Sequence, residues 1–151
     1  MDLNVEDRLV LNQLQLRDYQ KPVFDAIFNR KIKRLALCWP RRAGKDLTLW
    51  NAAIRFALME PCMVFYVLPT APLARKVIWD ALDNNSNKFL SYIPERLILK
   101  KNETEMKITL VNNSIIQLVG AEQHNTVFRG TNPKFVVLSE FSFYRHPEII
   151  G

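Results

Sequence analysis

The sequence lacks the features that mark export, membrane insertion or a repetitive structure. It has 151 residues, only four Gly and two Cys, and no biased tract, which excludes collagen-like and broadly disordered chains. Its longest uncharged apolar run is Cys62–Pro69, well short of the roughly 20 residues that a membrane span needs. The N-terminus is acidic and mixed, unlike a signal peptide, so we expect a cytoplasmic protein without a membrane segment.

The composition is that of one globular domain with a basic surface. Hydrophobic residues make up 48% of the chain, and 21 Lys plus Arg against 15 Asp plus Glu give a net charge of +6. The apolar fraction is sufficient for a core, and the positive charge is compatible with a polyanionic partner. Cys38 and Cys62 both lie in strand-like apolar runs, so we expect two buried, reduced thiols.

Three short apolar runs have the length and composition of buried strands. The first is followed by Pro40, and the last is entered from Asn132-Pro133; such residues bound strands. Uninterrupted apolar runs are typical of parallel strands that are covered on both faces. The predicted strands are Arg34–Trp39 (RLALCW), Met63–Leu68 (MVFYVL) and Phe135–Leu138 (FVVL).

Helical spacing and one hairpin fill the segments between these strands. Alternating residues on both sides of Asn112-Asn113, Met106–Val111 and Ser114–Val119, predict a β-hairpin because Asn tolerates a positive φ. The order of elements predicts an α/β fold, a mainly parallel sheet flanked by helices with a β-hairpin insertion. The segments with helical spacing of their apolar residues are Met1–Arg30, Gly44–Met59 and Thr70–Leu82.

The segment between the first predicted strand and the next helix has the features of a phosphate-binding loop. Residues 39–46 read WPRRAGKD, close to the G-x-x-x-x-G-K-[ST] pattern in its required strand–loop–helix context. Gly44 permits a close approach of the backbone to phosphate, and Lys45 supplies a positive charge at the β- and γ-phosphates. The segment departs from the pattern twice, because Trp39 replaces the first Gly and Asp46 replaces the Ser or Thr.

Two arginines stand inside this loop and admit two interpretations. Arg41 or Arg42 could be an arginine finger, which stabilises charge on the transferred phosphoryl group. The alternative is that both belong to a solvated basic loop.

A second polar site follows the third predicted strand. Ser139 and Glu140 come directly after FVVL. At this position, enzymes with a phosphate-binding loop have a metal-binding Asp and a Glu that orients the attacking water. Here Ser139 replaces the Asp, whereas Asp46 replaces a hydroxyl residue. We predict that the carboxylate and the hydroxyl near Mg²⁺ are exchanged between the two positions. The alternative is that Asp46 and Ser139 are ordinary caps of a helix and a strand.

Taken together, these motifs resemble the N-terminal ATPase half of the large terminase subunit of tailed bacteriophages, the motor that moves DNA into a procapsid. CWPRRAGKD, YVLPTAPLARKVIWD and FRGTNPKFVVLSEFSF occur in the order and spacing of that family, and the resemblance covers about Leu16 to Glu148. It implies a P-loop NTPase that uses ATP and Mg²⁺. It also implies double-stranded DNA, a portal protein and a small terminase subunit as partners, and a possible homo-oligomeric ring on the procapsid.

The resemblance also implies roles for individual residues. Tyr19 would stack on the adenine and Gln20 would read its edge. Lys45 would hold phosphates and Glu140 would activate water as the catalytic base, with Arg41 or Arg42 stabilising the transition state. Asp46 and Ser139 would hold Mg²⁺. The remaining nucleotide-binding residues that the family pattern implies are Pro40, Ala43 and Gly44. Arg129 with Gly130-Thr131, before the last strand, would line the nucleotide or couple it to DNA movement.

The chain is expected to be one N-terminal portion of an ATPase domain, with a helical lead-in at residues 1–33 and a nucleotide-binding core at residues 34–151 that is incomplete at its C-terminus and lacks a nuclease domain. Two other functions remain open. One is a helicase-like or restriction-type DNA translocase; the other is a shortened chain that binds nucleotide or DNA without turnover. The basic clusters Arg30–Arg34 and Lys100-Lys101 could contact the phosphate backbone, although such runs are usually solvated.

Overall fold

A five-stranded mixed sheet lies at the centre of the computed structural model, which describes residues 3–11, 13–39, 44–123, 126 and 128–140. The strands are β1 Met63–Leu68, β2 Ile98–Asn102, β3 Lys107–Leu110, β4 Ile115–Gly120 and β5 Phe135–Leu138. Their order in the sheet is β2-β3-β4-β1-β5. Strand β1 pairs in parallel with β4 on one edge and β5 on the other, whereas β2 with β3 and β3 with β4 are antiparallel.

The α/β class is confirmed, but the sheet is mixed rather than mainly parallel. The predicted hairpin forms β3 and β4, with Asn113 at a φ of 72° in its turn. The hairpin is part of the main sheet, because its second strand pairs along its whole length with β1. Strand β2 was not predicted. Three of its five residues are exposed, so its sequence does not show the apolar pattern of a buried strand.

Helices and short helical turns connect the strands. Helix α2 continues as a π-helical turn at Asp25–Asn29, and α4 continues in the same way at Arg75–Trp79. Within the described part of the chain, no helix combines the length and the apolar character needed to cross a membrane. The helices are α1 Val5–Leu11, α2 Lys21–Phe24, α3 Lys45–Met59 and α4 Ala71–Ala74, and the single 3₁₀ turns are Phe89–Tyr92, Glu95–Leu97 and Ala121–Gln123.

Helix α3 is the main helical contribution to the core, and its predicted bounds are confirmed. Its apolar residues recur with helical spacing, so Trp50, Ile54 and Ala57 are all fully buried. Burying side chains as large as Trp50 and Ile54 contributes about 1.5–3 kcal/mol each. The indole nitrogen of Trp50 donates to the carbonyl of Phe89 at 2.7 Å, so its one polar atom is satisfied.

Helix α4 begins as predicted but ends early. The Thr70 hydroxyl accepts a hydrogen bond from the backbone N–H of Leu73 at 3.2 Å, which caps the helix. Ile78 and Trp79 are buried, as expected of core residues. The helical segment ends at Trp79 with Asp80 as its C-cap, and Leu82 is 56% exposed. The prediction that the apolar face reaches Leu82 is therefore wrong.

The N-terminal helix is fixed to the body of the fold by a buried carboxylate. Asn4 and Asp7 cap α1 reciprocally, since the Asn4 side chain accepts from the Asp7 N–H at 2.8 Å and the Asp7 side chain accepts from the Asn4 N–H at 3.4 Å. The guanidinium of Arg96 forms an ion pair with Asp7, which is only 2% exposed. The hydrogen bond from Arg96 holds the pKa of Asp7 below its ordinary value of 3.8.

The first predicted strand is not present. Arg34–Trp39 has no strand pairing, and Leu35 is 46% exposed. An apolar run becomes a strand only when it pairs with another strand, and among the described residues Arg34–Trp39 pairs with neither β2 nor β5, the two edge strands of the sheet. The expectation for the cysteines is wrong for the same segment, because Cys38 is exposed. Cys62 is half-buried, and burial raises the pKa of its thiol.

Candidate nucleotide site

Asp46 joins the start of α3 to the ends of two parallel strands. The Ser139 hydroxyl donates to Oδ1 of Asp46 at 2.7 Å, and the Tyr66 hydroxyl donates to the same oxygen at 2.6 Å. Tyr66 lies in β1, and Ser139 directly follows β5. The three side chains therefore meet near the carboxyl ends of parallel strands, where open α/β sheets bind their ligands.

This contact joins the two residues to which the exchange prediction refers. The N-cap of α3 is Gly44, which has a φ of 76°, and no side chain caps it. The Asp46 side chain is directed to the strands rather than to its own helix. Ser139 is only 3% exposed, and its N–H donates to the Val67 carbonyl at 2.8 Å. The carboxylate and the hydroxyl that we predict to be exchanged are thus in direct contact.

Glu140 follows this contact immediately along the chain. It is half-buried and has a φ of 56°, in the left-handed region that non-glycine residues rarely adopt. A non-glycine residue with its backbone in this region costs the folded state of the order of 1 kcal/mol or more, and such conformations occur often at functional sites. The backbone N–H of Ser139 is bonded to Val67 of β1 and its hydroxyl to Asp46, so Glu140 begins next to this contact.

One turn of the lead-in lies close to Trp39 and to Gly44 of the phosphate-loop segment. The rings of Tyr19 and Trp39 meet edge to face, with centroids 5.2 Å apart. The side-chain nitrogen of Gln20 would lie 3.0 Å from a Cβ added at Gly44. Gln20 is itself fixed, because it is 4% exposed and its Oε1 accepts from the Arg17 N–H at 2.9 Å. The adenine-side motif that the resemblance implies is therefore adjacent to the loop. Its central residues Pro40, Arg41, Arg42 and Ala43 lie outside the described residues.

The other predicted site residues occupy less defined positions. Lys45 is the first residue of α3 and is half-buried. Arg129 is exposed in the turn that precedes β5, where Gly130 has a φ of 74°. The hydroxyl of Thr131 donates to the Phe128 carbonyl at 2.8 Å, closing that turn. Asp46 and Ser139 are in direct contact, and Glu140 is the next residue along the chain. In the part of the chain that the structure describes, Arg129 shows no contact with these three residues.

The oxygen atoms of Asp46 and Ser139, near the carboxyl ends of the strands, fit Mg²⁺ better than a softer metal. Carboxylate and hydroxyl oxygens are hard ligands, and Mg²⁺ is usually held by one or two carboxylates together with substrate phosphates. In the described ranges no three His, Cys, Asp or Glu side chains form a cage that could hold a metal on their own. The Ser139 hydroxyl donates its hydrogen bond to Asp46, so the lone pairs of the Ser139 oxygen remain available to a cation.

Sequence reasoning missed two residues at this edge. Tyr66 carries the only hydroxyl in β1, and a buried phenol in an apolar strand is a signal that a partner is needed. Gly120 ends β4 against the start of α4, where a Cβ would lie 2.3 Å from the backbone nitrogen of Ala71. The second contact has no local signal, because it joins segments about 50 residues apart.

Two other features of the surface lie away from Asp46. An apolar cavity of about 600 Å³ lies between the lead-in and the C-terminal half of α3, where Phe24, Arg55 and Met59 line it. Met59 is 13 residues beyond Asp46 on the same helix, or about 20 Å, so this cavity is separate from the nucleotide site. The basic clusters Arg30–Arg34 and Lys100-Lys101 are exposed, as required of either DNA contacts or solvated faces.

Comparison with known families gives a match that extends over most of the chain. The sequence model of the family described as phage terminase large subunit gpA, ATPase domain, matches residues 13–147. No curated protein and no solved structure matches the chain. The matched range includes the adenine-side motif, the phosphate-loop segment and Glu140. This chain therefore belongs to the family of phage terminase large subunit gpA ATPase domains.

Proposed function

We propose that this chain binds ATP with Mg²⁺ and hydrolyses it as part of a phage DNA-packaging motor that translocates double-stranded DNA into a procapsid. Membership of a terminase ATPase family supports a role in packaging and ATPase activity in general. The observation that carries the proposal further is the Asp46–Ser139 hydrogen bond of 2.7 Å beside Glu140. It brings the start of the helix after the phosphate loop against the acidic end of β5, as phosphoryl-transfer chemistry requires.

In this proposal one group of residues binds the base of the nucleotide and a second group binds its phosphates. Tyr19 stacks on the base and Gln20 contacts its edge. Gly44 and the preceding loop residues Pro40–Ala43 surround the phosphates, with Lys45 neutralising their charge. This arrangement is supported by the ring contact of Tyr19 with Trp39 and by the closeness of the Gln20 side chain to Gly44, on the two sides of residues 40–43.

Asp46 and Ser139 would hold Mg²⁺ in the exchanged arrangement, and the cation would neutralise charge on the phosphates when bound. Glu140 orients the water for in-line attack and takes up its proton. Arg41 or Arg42 stabilises the charge that develops on the transferred phosphoryl group. The main contributions of this chain to catalysis are therefore the positioning of the reactants and the electrostatic stabilisation of the transition state.

The same family membership supports proposals about partners. Contact with DNA would be made to the phosphate backbone, and would be tolerant of sequence and sensitive to salt. The portal protein and the small terminase subunit would be protein partners. A homo-oligomeric ring on the procapsid in the host cytoplasm would be the assembled form.

Steady-state ATP hydrolysis by the chain, measured with matched variants, tests the proposal. Glu140→Gln should reduce turnover by about 10²–10⁴-fold, because it removes the base, while ATP binding is retained. Lys45→Ala should weaken ATP binding itself. Glu105→Gln and Lys76→Ala change exposed residues of the same types and should leave both quantities unaltered.

Each contrary result has a definite meaning. Hydrolysis that is insensitive to Glu140→Gln contradicts the assignment of the base. Binding of ATP without turnover by the unmodified chain identifies a nucleotide-binding module instead of an ATPase. Mg²⁺-dependent ATP binding that is unchanged in Asp46→Ala contradicts the exchanged metal site.

A further inference from the structure

Tyr66 is the one hydroxyl-bearing residue of β1, and its whole side chain is buried. The strand reads MVFYVL, and Tyr66 has no exposed surface. Its ring meets Trp50 of α3 edge to face, with centroids 5.9 Å apart. This ring contact fixes the direction of the phenol. The hydroxyl is thereby delivered to Asp46, 2.6 Å from Oδ1 and 3.3 Å from the backbone carbonyl oxygen.

Oδ1 of Asp46 accepts two hydroxyl hydrogen bonds from neighbouring strands. Ser139 donates at 2.7 Å from the end of β5 and Tyr66 donates at 2.6 Å from β1. Strands β1 and β5 are paired in parallel, with Tyr66 opposite Val137, so the two donors are held at a fixed separation. Hydrogen bonds to an ionised carboxylate are about twice as strong as neutral ones. Two of them on one oxygen define the rotation of the carboxylate about its Cβ–Cγ bond.

This arrangement separates the tasks of the two carboxylate oxygens. Oδ1 is committed to the protein, and the position of Oδ2 follows from that of Oδ1 because the carboxylate is rigid and planar. A metal ligand is effective when groups behind it fix its orientation before the cation arrives. Ser139 is itself a predicted metal ligand, whereas Tyr66 lies within the core and can act only through Asp46.

We infer that Tyr66 is a positioning residue for the Mg²⁺–nucleotide complex and acts by orienting the Asp46 carboxylate. The inference rests on the proposed function, because it requires Asp46 to face the cation. It adds a residue that neither the phosphate-loop pattern nor the acidic strand end contains. Loss of the Tyr66 hydroxyl weakens the response to Mg²⁺ and leaves metal-free nucleotide binding as it was.

Tyr66→Phe and Tyr92→Phe form a matched pair for the test. Tyr92 is also a buried tyrosine whose hydroxyl donates to an aspartate, Asp83, at 2.5 Å. It lies in the 3₁₀ turn at Phe89–Tyr92, and its hydroxyl is bonded to Asp83 rather than to Asp46. Both variants remove one hydroxyl from a buried tyrosine–aspartate bond, so a general loss of stability should appear in both.

The measurement is the affinity for ATP by calorimetric titration at increasing Mg²⁺, starting from a metal-free solution with EDTA. For Tyr66→Phe we expect the Mg²⁺ concentration at half effect to rise about tenfold, the lower end for loss of a group that orients a metal ligand. Metal-free ATP affinity should stay constant. Tyr92→Phe should leave both values constant, and thermal melts of all proteins record any loss of stability.

An unchanged Mg²⁺ requirement in Tyr66→Phe overturns the inference, as does an equal loss of ATP affinity with and without Mg²⁺.

Asp46→Asn provides a second test that does not depend on comparing stabilities. Adding Tyr66→Phe to Asp46→Asn should produce no further change in the Mg²⁺ requirement, and an additive change contradicts action through Asp46. If the unmodified chain binds no ATP, or binds it independently of Mg²⁺, the proposed function itself is wrong.

Discussion

Replacing Gly120 by Ala should destabilise the fold through a direct clash of backbone with side chain. A Cβ at this position would lie 2.3 Å from the Ala71 nitrogen and 2.7 Å from the Thr70 carbonyl carbon. These atoms belong to the backbone at the capped start of α4, so they cannot move aside by a rotamer change. Relief of the clash requires β4 and α4 to separate by about 1 Å, and such overpacking costs about 3 kcal/mol at the upper end of the usual range.

The predicted loss can be read from a thermal melt. For a chain of this length, 1 kcal/mol corresponds to about 2–4 °C in Tm, so Gly120→Ala should lower Tm by about 6–12 °C. Circular dichroism at 222 nm would follow the transition, and urea unfolding would give the free energy directly.

Gly130→Ala is the matched control. Gly130 has a φ of 74° and no atom within 4 Å of its added Cβ, so its cost comes from the backbone conformation alone, about 1 kcal/mol. A loss in Gly120→Ala that does not exceed the loss in Gly130→Ala would refute the argument from the clash.

Two further predictions concern the base side of the site and the acid limb of stability. Trp39→Leu removes the ring contact with Tyr19 and should weaken ATP binding about three- to tenfold, whereas binding of inorganic tripolyphosphate should not change. Trp39→Phe keeps an aromatic ring and should restore most of the affinity for ATP. Equal losses of affinity for ATP and for tripolyphosphate would contradict a role in base binding. Asp7 has a folded pKa below its ordinary value of 3.8 because Arg96 donates to it, so its stabilising contribution is present above that ordinary value and is lost as the pH falls through the folded pKa. Urea unfolding between about pH 2 and pH 7 should therefore show a flatter acid limb for Asp7→Asn, whereas the exposed Asp18→Asn should keep the slope of the unmodified chain.

Sequence patterns correctly predicted the elements that are stabilised by contacts between residues close together along the chain. The helix after Gly44 has apolar residues at helical spacing and no Pro, and it forms as α3 up to Met59. Thr70 caps α4 because its hydroxyl reaches an N–H three residues ahead. Asn113 takes a positive φ in the hairpin turn. Each of these features depends on contacts within a few residues, which the sequence contains in full.

Arg34–Trp39 shows where this reasoning failed. Its composition is that of a buried strand, but strand formation depends on a partner edge that its own residues do not encode. The same limit applies to β2, which is largely exposed and is held as a strand by pairing with β3. Pairing partners are chosen by tertiary structure, so composition alone cannot decide either segment.

The sequence by itself determined the family, the α/β class and the residue types available for phosphate chemistry, because the motifs are short and ordered along the chain. Only the tertiary structure decided that Asp46, Ser139 and Tyr66 share one carboxylate oxygen. Ser139 lies 93 residues from Asp46, and Tyr66 lies 20 residues from it. The pairing of β1 with β5 and the packing of α3 on the sheet bring these distant positions within hydrogen-bond distance. No local pattern contains that register.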